Sequence, residues 1–264
     1  MNLLDKKGFI LDIDGVIGRG DKPIIEGVEG VRRLKEAGKK LVFVSNNSTR
    51  SRRILLDRLQ NFGLDVDEGE ILVATYATAR YIAEEKKNAK VFTTGEIGLI
   101  EELKLADLEV VDYKNAEYLV VAQNRNLNYE LITKALRLCL KRDVRYVATN
   151  PDRIFPGEDG PIPGTGMLIG ALYWMTGRMP DVTVGKPSKI IMEQALSILG
   201  LKAEEVAVVG DQIDVDVLAG KNIGATTVLV LTGVTNSENL KSLIERFNLR
   251  PDFIFSSLLD LARE

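Results

Sequence analysis

Short apolar runs alternate with longer amphipathic stretches along most of this chain. Phe9-Ile10-Leu11, Leu41-Val42-Phe43-Val44 and Val206-Ala207-Val208-Val209 are continuously apolar, as expected of strands covered on both faces. The β-rich runs predict strands at Gly8–Asp12, Lys40–Ser45, Lys90–Thr94, Tyr118–Ala122, Arg145–Ala148, Val206–Gly210, Thr226–Leu231 and Asp252–Phe255. The stretches between them predict helices at Val28–Glu36, Arg52–Phe62, Tyr76–Lys86, Tyr129–Lys141, Gly166–Thr176, Lys189–Leu199 and Val215–Lys221. Strands that alternate with helices in this way indicate an α/β protein with a mainly parallel sheet.

Two features set the middle of the chain apart. Thr75 to Asp181 holds enough strands and helices for a domain of about 100 residues. The stretch from Pro151 to Gly166 then interrupts the pattern, and Pro156-Gly157 with Pro161-Ile162-Pro163-Gly164 reads as an ordered turning loop. The sequence contains no internal repeat and no low-complexity tract.

Composition narrows the chemistry. The chain has 264 residues, 45% hydrophobic and 28% charged, with 35 Lys+Arg against 38 Asp+Glu and a net charge of -3. That is an ordinary globular balance for one large or two modest domains, and it argues against a nucleic-acid partner. Arg50, Arg52 and Arg53 form the densest basic stretch and read as a solvated helix face. No apolar run reaches the length of a membrane span and Met1 to Gly8 lacks a signal-peptide core, so a cytoplasmic protein with no membrane partner is expected. Cys139 is the only cysteine and there is no histidine. Ser-His-Asp triads and histidine-based zinc sites are thereby excluded, and Cys139 reads as a buried small hydrophobe. Trp174 and Met175, on an apolar helical stretch, read as core.

The strongest local signal is Asp12-Ile13-Asp14-Gly15-Val16, directly after the first apolar strand. Open α/β sheets place ligands at the carboxyl ends of their strands, although an acidic turn closing a strand has the same composition. Three further segments also follow strands. Ser45-Asn46-Asn47-Ser48 offers a hydroxyl and backbone N–H groups suited to phosphate, or an ordinary helix N-cap. Gly185-Lys186-Pro187-Ser188 places one lysine, and Gly210-Asp211 through Asp214-Val215-Asp216 an acidic cluster, at strand ends. Independent capping and turn roles do not account for four strand ends carrying, in order, a double carboxylate, a hydroxyl, a lysine and an acidic cluster.

That ordered set resembles the haloacid dehalogenase (HAD) superfamily, and its spacing resembles the subgroup of 4-nitrophenylphosphatase, the NagD nucleotidase and the pyridoxal-phosphate and phosphoglycolate phosphatases. Thr149-Asn150-Pro151-Asp152, Pro163-Gly164-Thr165-Gly166 and Asp216-Val217-Leu218-Ala219-Gly220 extend the likeness across nearly the whole chain. The resemblance implies a HAD-like Rossmannoid core in two parts, 1–78 and 182–264, with a large α/β cap inserted at 79–181. It implies a Mg2+-dependent phosphatase in which Asp12 attacks phosphorus. Asp14 would protonate the leaving oxygen and then activate water, which asks for a raised pKa. Ser45, Asn46, Asn47 and Lys186 would hold the phosphoryl oxygens. Asp12, the Asp14 carbonyl, Asp211 and Asp216 would hold the cation.

From the cap, Asn150, Asp152 and Arg153 would meet the substrate, and a homodimer through the cap is a family-level expectation. One position departs from the pattern: Val215 stands where the family commonly has Thr, which puts support of the metal site in doubt. The resemblance implies a small phosphorylated metabolite as substrate, such as 4-nitrophenyl phosphate, a nucleoside monophosphate or phosphoglycolate. A phosphomutase, a catalytically silent phosphate-binding module and a receiver-type phosphoacceptor are the competing readings.

Overall fold

The computed structural model describes residues 3–157 and 160–263. The chain divides into two compact units. One comprises Met1–Ser45, Leu55–Leu72 and Lys186–Glu264, the other Asn46–Ile54 and Val73–Gly185.

In the first unit a six-stranded sheet runs in the order Phe253–Phe255, Thr226–Val230, Val206–Gly210, Gly8–Asp12, Lys40–Ser45, Ile71–Val73 among the described residues. Gly8–Asp12 is buried at every position because its neighbours and the covering helices leave no wet face. It pairs in parallel with Lys40–Ser45, Asp12 opposite Val44, and with Val206–Gly210, Leu11 opposite Val209. This register brings Asp12, Ser45 and Gly210 to the same carboxyl edge, where the strand order reverses direction. The helix Ile25–Glu36 packs on Leu258–Leu261, with Gly30 in direct contact with Leu258. Ser188 caps Lys189–Leu199 by accepting from Ile190 N at 3.3 Å, and left-handed Gly200 ends that helix.

The second unit has a five-stranded parallel sheet in the order Val182–Thr183, Arg145–Ala148, Tyr118–Val121, Lys90–Thr93, Glu109–Val110. Phe92, Leu119, Cys139, Tyr146, Leu168 and Leu172 belong to its core. Buried Arg178 donates to the carbonyls of Cys139, Lys141 and Val144 and to Asp181, so its charge closes backbone ends rather than reaching a ligand.

Most expected strands appear within a residue of their positions. Within the stretch 151–166, expected as an ordered turning loop, Ile154–Gly157 and Gly160–Pro163 pair as an antiparallel hairpin. Three further features differ from expectation. Helix Ile97–Leu105 and the short strands Ile71–Val73 and Glu109–Val110 were not expected at all. The Val215–Lys221 helix is instead a wide π-type turn, Ile213–Val217, followed by the helix Leu218–Ile223. Trp174 and Met175 are not core, being 89% and 45% exposed. Helix Thr165–Thr176 is apolar on all sides and buries the Leu168-Ile169-Leu172 face, leaving Trp174 and Met175 on the other. Cys139 is buried, as expected.

Candidate active site

The first strand stops at Asp12 because the next residues fold into a tight turn. Ile13 O accepts from Val16, Ile17 and Gly18 N, and Gly15 N donates to Gly18 O at 2.9 Å. Gly15 has φ +89, and a Cβ there would collide with the Asp211 carboxylate; positive φ and close approach both demand glycine. Gly233 approaches Asp211 from another side, where a Cβ would likewise strike the carboxylate. After the turn, Gly18–Arg19 pairs with Lys22–Pro23 as a small flap.

Asp12 is 7% exposed and Lys186 3%. Lys186 Nζ donates to Asp12 Oδ1 at 2.6 Å and to Asp216 Oδ1 at 2.6 Å, and it reaches Val44 O, next to Ser45, at 3.5 Å. Ser45 is itself buried. Asp216 Oδ2 accepts from Gln212 N at 3.1 Å, so both its oxygens are engaged even with Val215 in the preceding position. Asp211 Oδ2 accepts from Val234 N, while Asp211 Oδ1 is buried with no hydrogen-bond partner among the described residues.

Asp12, Asp211 and Asp216 offer oxygens within 4.8 Å of one another. Burial pushes Asp12 well above the usual carboxylate range; Lys186 opposes this, and Asp216, Asp211 and Asp14 add to it. Asp211 is pushed up to about 7, by burial and then by the charge of Asp216. For Lys186, burial disfavours the ammonium, but the charges of Asp12 and Asp216 and their hydrogen bonds outweigh burial and raise its pKa. Three buried carboxylates around one ammonium carry excess negative charge. An all-oxygen donor set with one oxygen left without a partner fits a hard divalent cation.

Asp14, two residues after Asp12, is bonded to Arg58, whose Nη2 lies 2.8 Å from Asp14 Oδ1. Sequence reasoning missed Arg58. The available signal was an arginine at an apolar-face position, three residues after Leu55 and one before Leu59, all three of them buried.

The remaining residues named from sequence lie in the second unit. Asn47 Oδ1 accepts from Thr49 N, Thr49 Oγ1 and Arg50 N, closing a turn ahead of the helix that begins at Arg52. Asn46 Nδ2 donates to both Asp152 oxygens at 3.1 Å, and Asn150 Nδ2 donates to Asn46 O at 2.7 Å. Asn150 and Asp152 therefore hold Asn46, a pairing that sequence reasoning also missed. Arg153 is exposed at the start of the hairpin.

A family model described as haloacid dehalogenase-like hydrolase matches residues 9–109, and one described as HAD-hydrolase-like matches residues 183–261. The chain is 38% identical over 240 residues to the 5'-nucleotidase YutF of Bacillus subtilis (strain 168), covering 91% of this chain and 93% of that protein. It is 35% identical over 235 residues to the acid sugar phosphatase of Staphylococcus haemolyticus (strain JCSC1435), covering 89% of each. The solved structure of a p-nitrophenyl phosphatase from Archaeoglobus fulgidus superposes with a TM-score of 0.96 at 74% identity, covering 98% of this chain and 99% of that one.

Proposed function

The chain belongs to the haloacid dehalogenase-like hydrolases, and from that premise we propose that it cleaves small phosphomonoesters through an aspartyl-phosphate on Asp12, with Mg2+ as its cation. It is a phosphoric monoester hydrolase. The observation that carries the mechanistic reading is the buried Lys186 bonded to Asp12 Oδ1, which leaves Asp12 Oδ2 as the attacking atom.

Asp12, Asp211 and Asp216, with the Asp14 carbonyl, would hold the cation. Bound there, it supplies positive charge to the phosphoryl oxygens and to the crowded carboxylates. Lys186 favours the carboxylate form of Asp12 against the effect of burial and offsets its repulsion from an anionic ester. Ser45 serves the transferring oxygens, as do Asn46 and Asn47, which follow it in the chain. Asp14 donates a proton to the leaving oxygen and later accepts one from water.

Of the residues assigned to substrate choice, Arg153 makes the contact, while Asn150 and Asp152 act by holding Asn46. The substrate class spans nucleotide, sugar and aryl phosphates, in keeping with the relatives' activities. A homodimer would use the exposed Met167, Tyr173, Trp174 and Met175 of the second unit. A cytoplasmic location is part of this proposal; Cys139, the single cysteine, is buried, and no helix among the described residues is long and apolar enough to cross a membrane.

The experiment is phosphate release from 4-nitrophenyl phosphate and a panel of sugar, nucleoside and glycolate phosphates, with Mg2+ or EDTA. Release that requires the metal supports the proposal, and the ranking identifies the substrate class. Release unaffected by EDTA overturns the metal assignment.

A further inference from the structure

Arg58 has no part in the chemistry assigned above, yet it is the side chain bonded to Asp14. It sits on the buried face of the helix Arg52–Asn61, with Leu55 and Leu59. Its side chain is 6% exposed against 22% for Asp14. Nη2 donates to Asp14 Oδ1 at 2.8 Å, and Nε is buried with no hydrogen-bond partner among the described residues. The guanidinium lies 5.4 Å from the centre of the Phe62 ring. Phe62 in turn covers Gly18, where a Cβ would come within 2.5 Å of the ring. Gly18 O receives Gly15 N, and Gly18 bridges to Asp14. Arg58 on the helix and Phe62 just past its end therefore hold the carboxylate of Asp14 and cover the backbone of its turn. A buried arginine is a costly occupant of an apolar helix face, where a packed hydrophobe would stabilise the fold as well or better.

We propose, on the premise that Asp14 is the acid–base group, that Arg58 is its positioning residue: it pins Oδ1 and so presents Oδ2 to the leaving oxygen. In the first step the Asp12 Oδ2–phosphorus bond forms as the bond to the leaving oxygen breaks, and the proton on Asp14 Oδ2 passes to that oxygen. In the second, a water oxygen bonds to phosphorus and the Asp12–phosphorus bond breaks, while the water proton returns to Asp14 Oδ2. Each transfer needs the same oxygen at the same place, and a carboxyl held by one oxygen has fewer orientations to lose before reaction.

The test compares the Mg2+-loaded wild type with Arg58→Met, Arg58→Lys and Asp14→Asn on two esters. The 4-nitrophenolate of the aryl ester departs without protonation, whereas the alkoxide of glycerol phosphate needs a proton. Asp14→Asn and Arg58→Met are both expected to lower kcat on the alkyl ester by ~10–100-fold more than on the aryl ester, with KM nearly unchanged. Arg58→Lys keeps a donor without the fork and restores part of the loss. Circular dichroism reports folding, and if Arg58→Met does not fold, Arg58→Lys alone must still move the alkyl-to-aryl ratio in the same direction. A purely structural role lowers both activities together. An unchanged ratio in the Arg58 variants, with a changed ratio in Asp14→Asn, overturns the inference. An equal rise in KM on both esters also overturns it, by making Arg58 a phosphate contact. An unchanged ratio in Asp14→Asn overturns the acid–base assignment of Asp14, and this proposal with it.

Discussion

Replacing Asp211 with asparagine should make the metal-free protein more stable above neutral pH while removing its capacity for the cation. Asp211 Oδ2 accepts from Val234 N and Oδ1 has no partner among the described residues, so an amide oxygen can keep the backbone bond at nearly the same volume. Burial and the Asp216 charge raise its pKa from 3.8 to about 7. An acid raised on folding binds more protons in the folded state than in the unfolded one between those values, so its stability contribution falls as pH rises through that window. A span of about three pH units at ~1.4 kcal/mol each sets the full loss at roughly 4 kcal/mol, of which roughly 3 kcal/mol lies above about pH 5. Carboxylates lowered by their partners, such as Glu96 beside Arg125, change stability only in more acidic solution and stay silent in that range. Urea unfolding in EDTA at about pH 5 and about pH 8 measures the difference. The wild type should lose stability towards the higher pH, Asp211→Asn should lose less by ~3 kcal/mol, and Mg2+ should rescue only the wild type. Wild-type stability that rises over this interval in EDTA, or an equal slope in the variant, would refute the reasoning.

Two further outcomes follow from the same geometry. Lys186→Met removes the ammonium bonded to both Asp12 and Asp216; the metal-free protein should lose about 3–5 kcal/mol in denaturant melts, and the loaded enzyme roughly 10²–10³-fold in kcat. Asp152→Ala removes the two hydrogen bonds that Asn46 Nδ2 donates to the Asp152 carboxylate and should cost about 1–3 kcal/mol in urea unfolding, whereas an effect near zero would show that these bonds do not stabilise the fold.

The first unit was legible in sequence where physics leaves a local trace. Gly8–Asp12 and Val206–Gly210 are covered on both faces, so their burial appears as unbroken apolar runs. Asp12, Lys186 and Asp216, which meet in space, could be picked out because each stands in a recognisable segment that follows a strand. The hairpin Ile154–Gly157 with Gly160–Pro163 left no such trace, since proline and glycine erase strand alternation. Trp174 misled because an all-apolar helix does not announce which face will be covered. Arg58 and Asp14 are 44 positions apart and Asn46 and Asp152 are 106 apart. Neither pairing is encoded by spacing, and only the folded chain brings the partners together.

The most direct test of the central claim is to find the phosphate on Asp12 itself. Wild-type enzyme turning over 4-nitrophenyl phosphate with Mg2+ is quenched in acid, reduced with borohydride and digested for mass spectrometry. The account predicts conversion of Asp12 to homoserine, dependent on substrate and absent in Asp12→Asn. Full turnover with Asp12 unreduced under trapping conditions, or steady activity in Asp12→Asn, would contradict it.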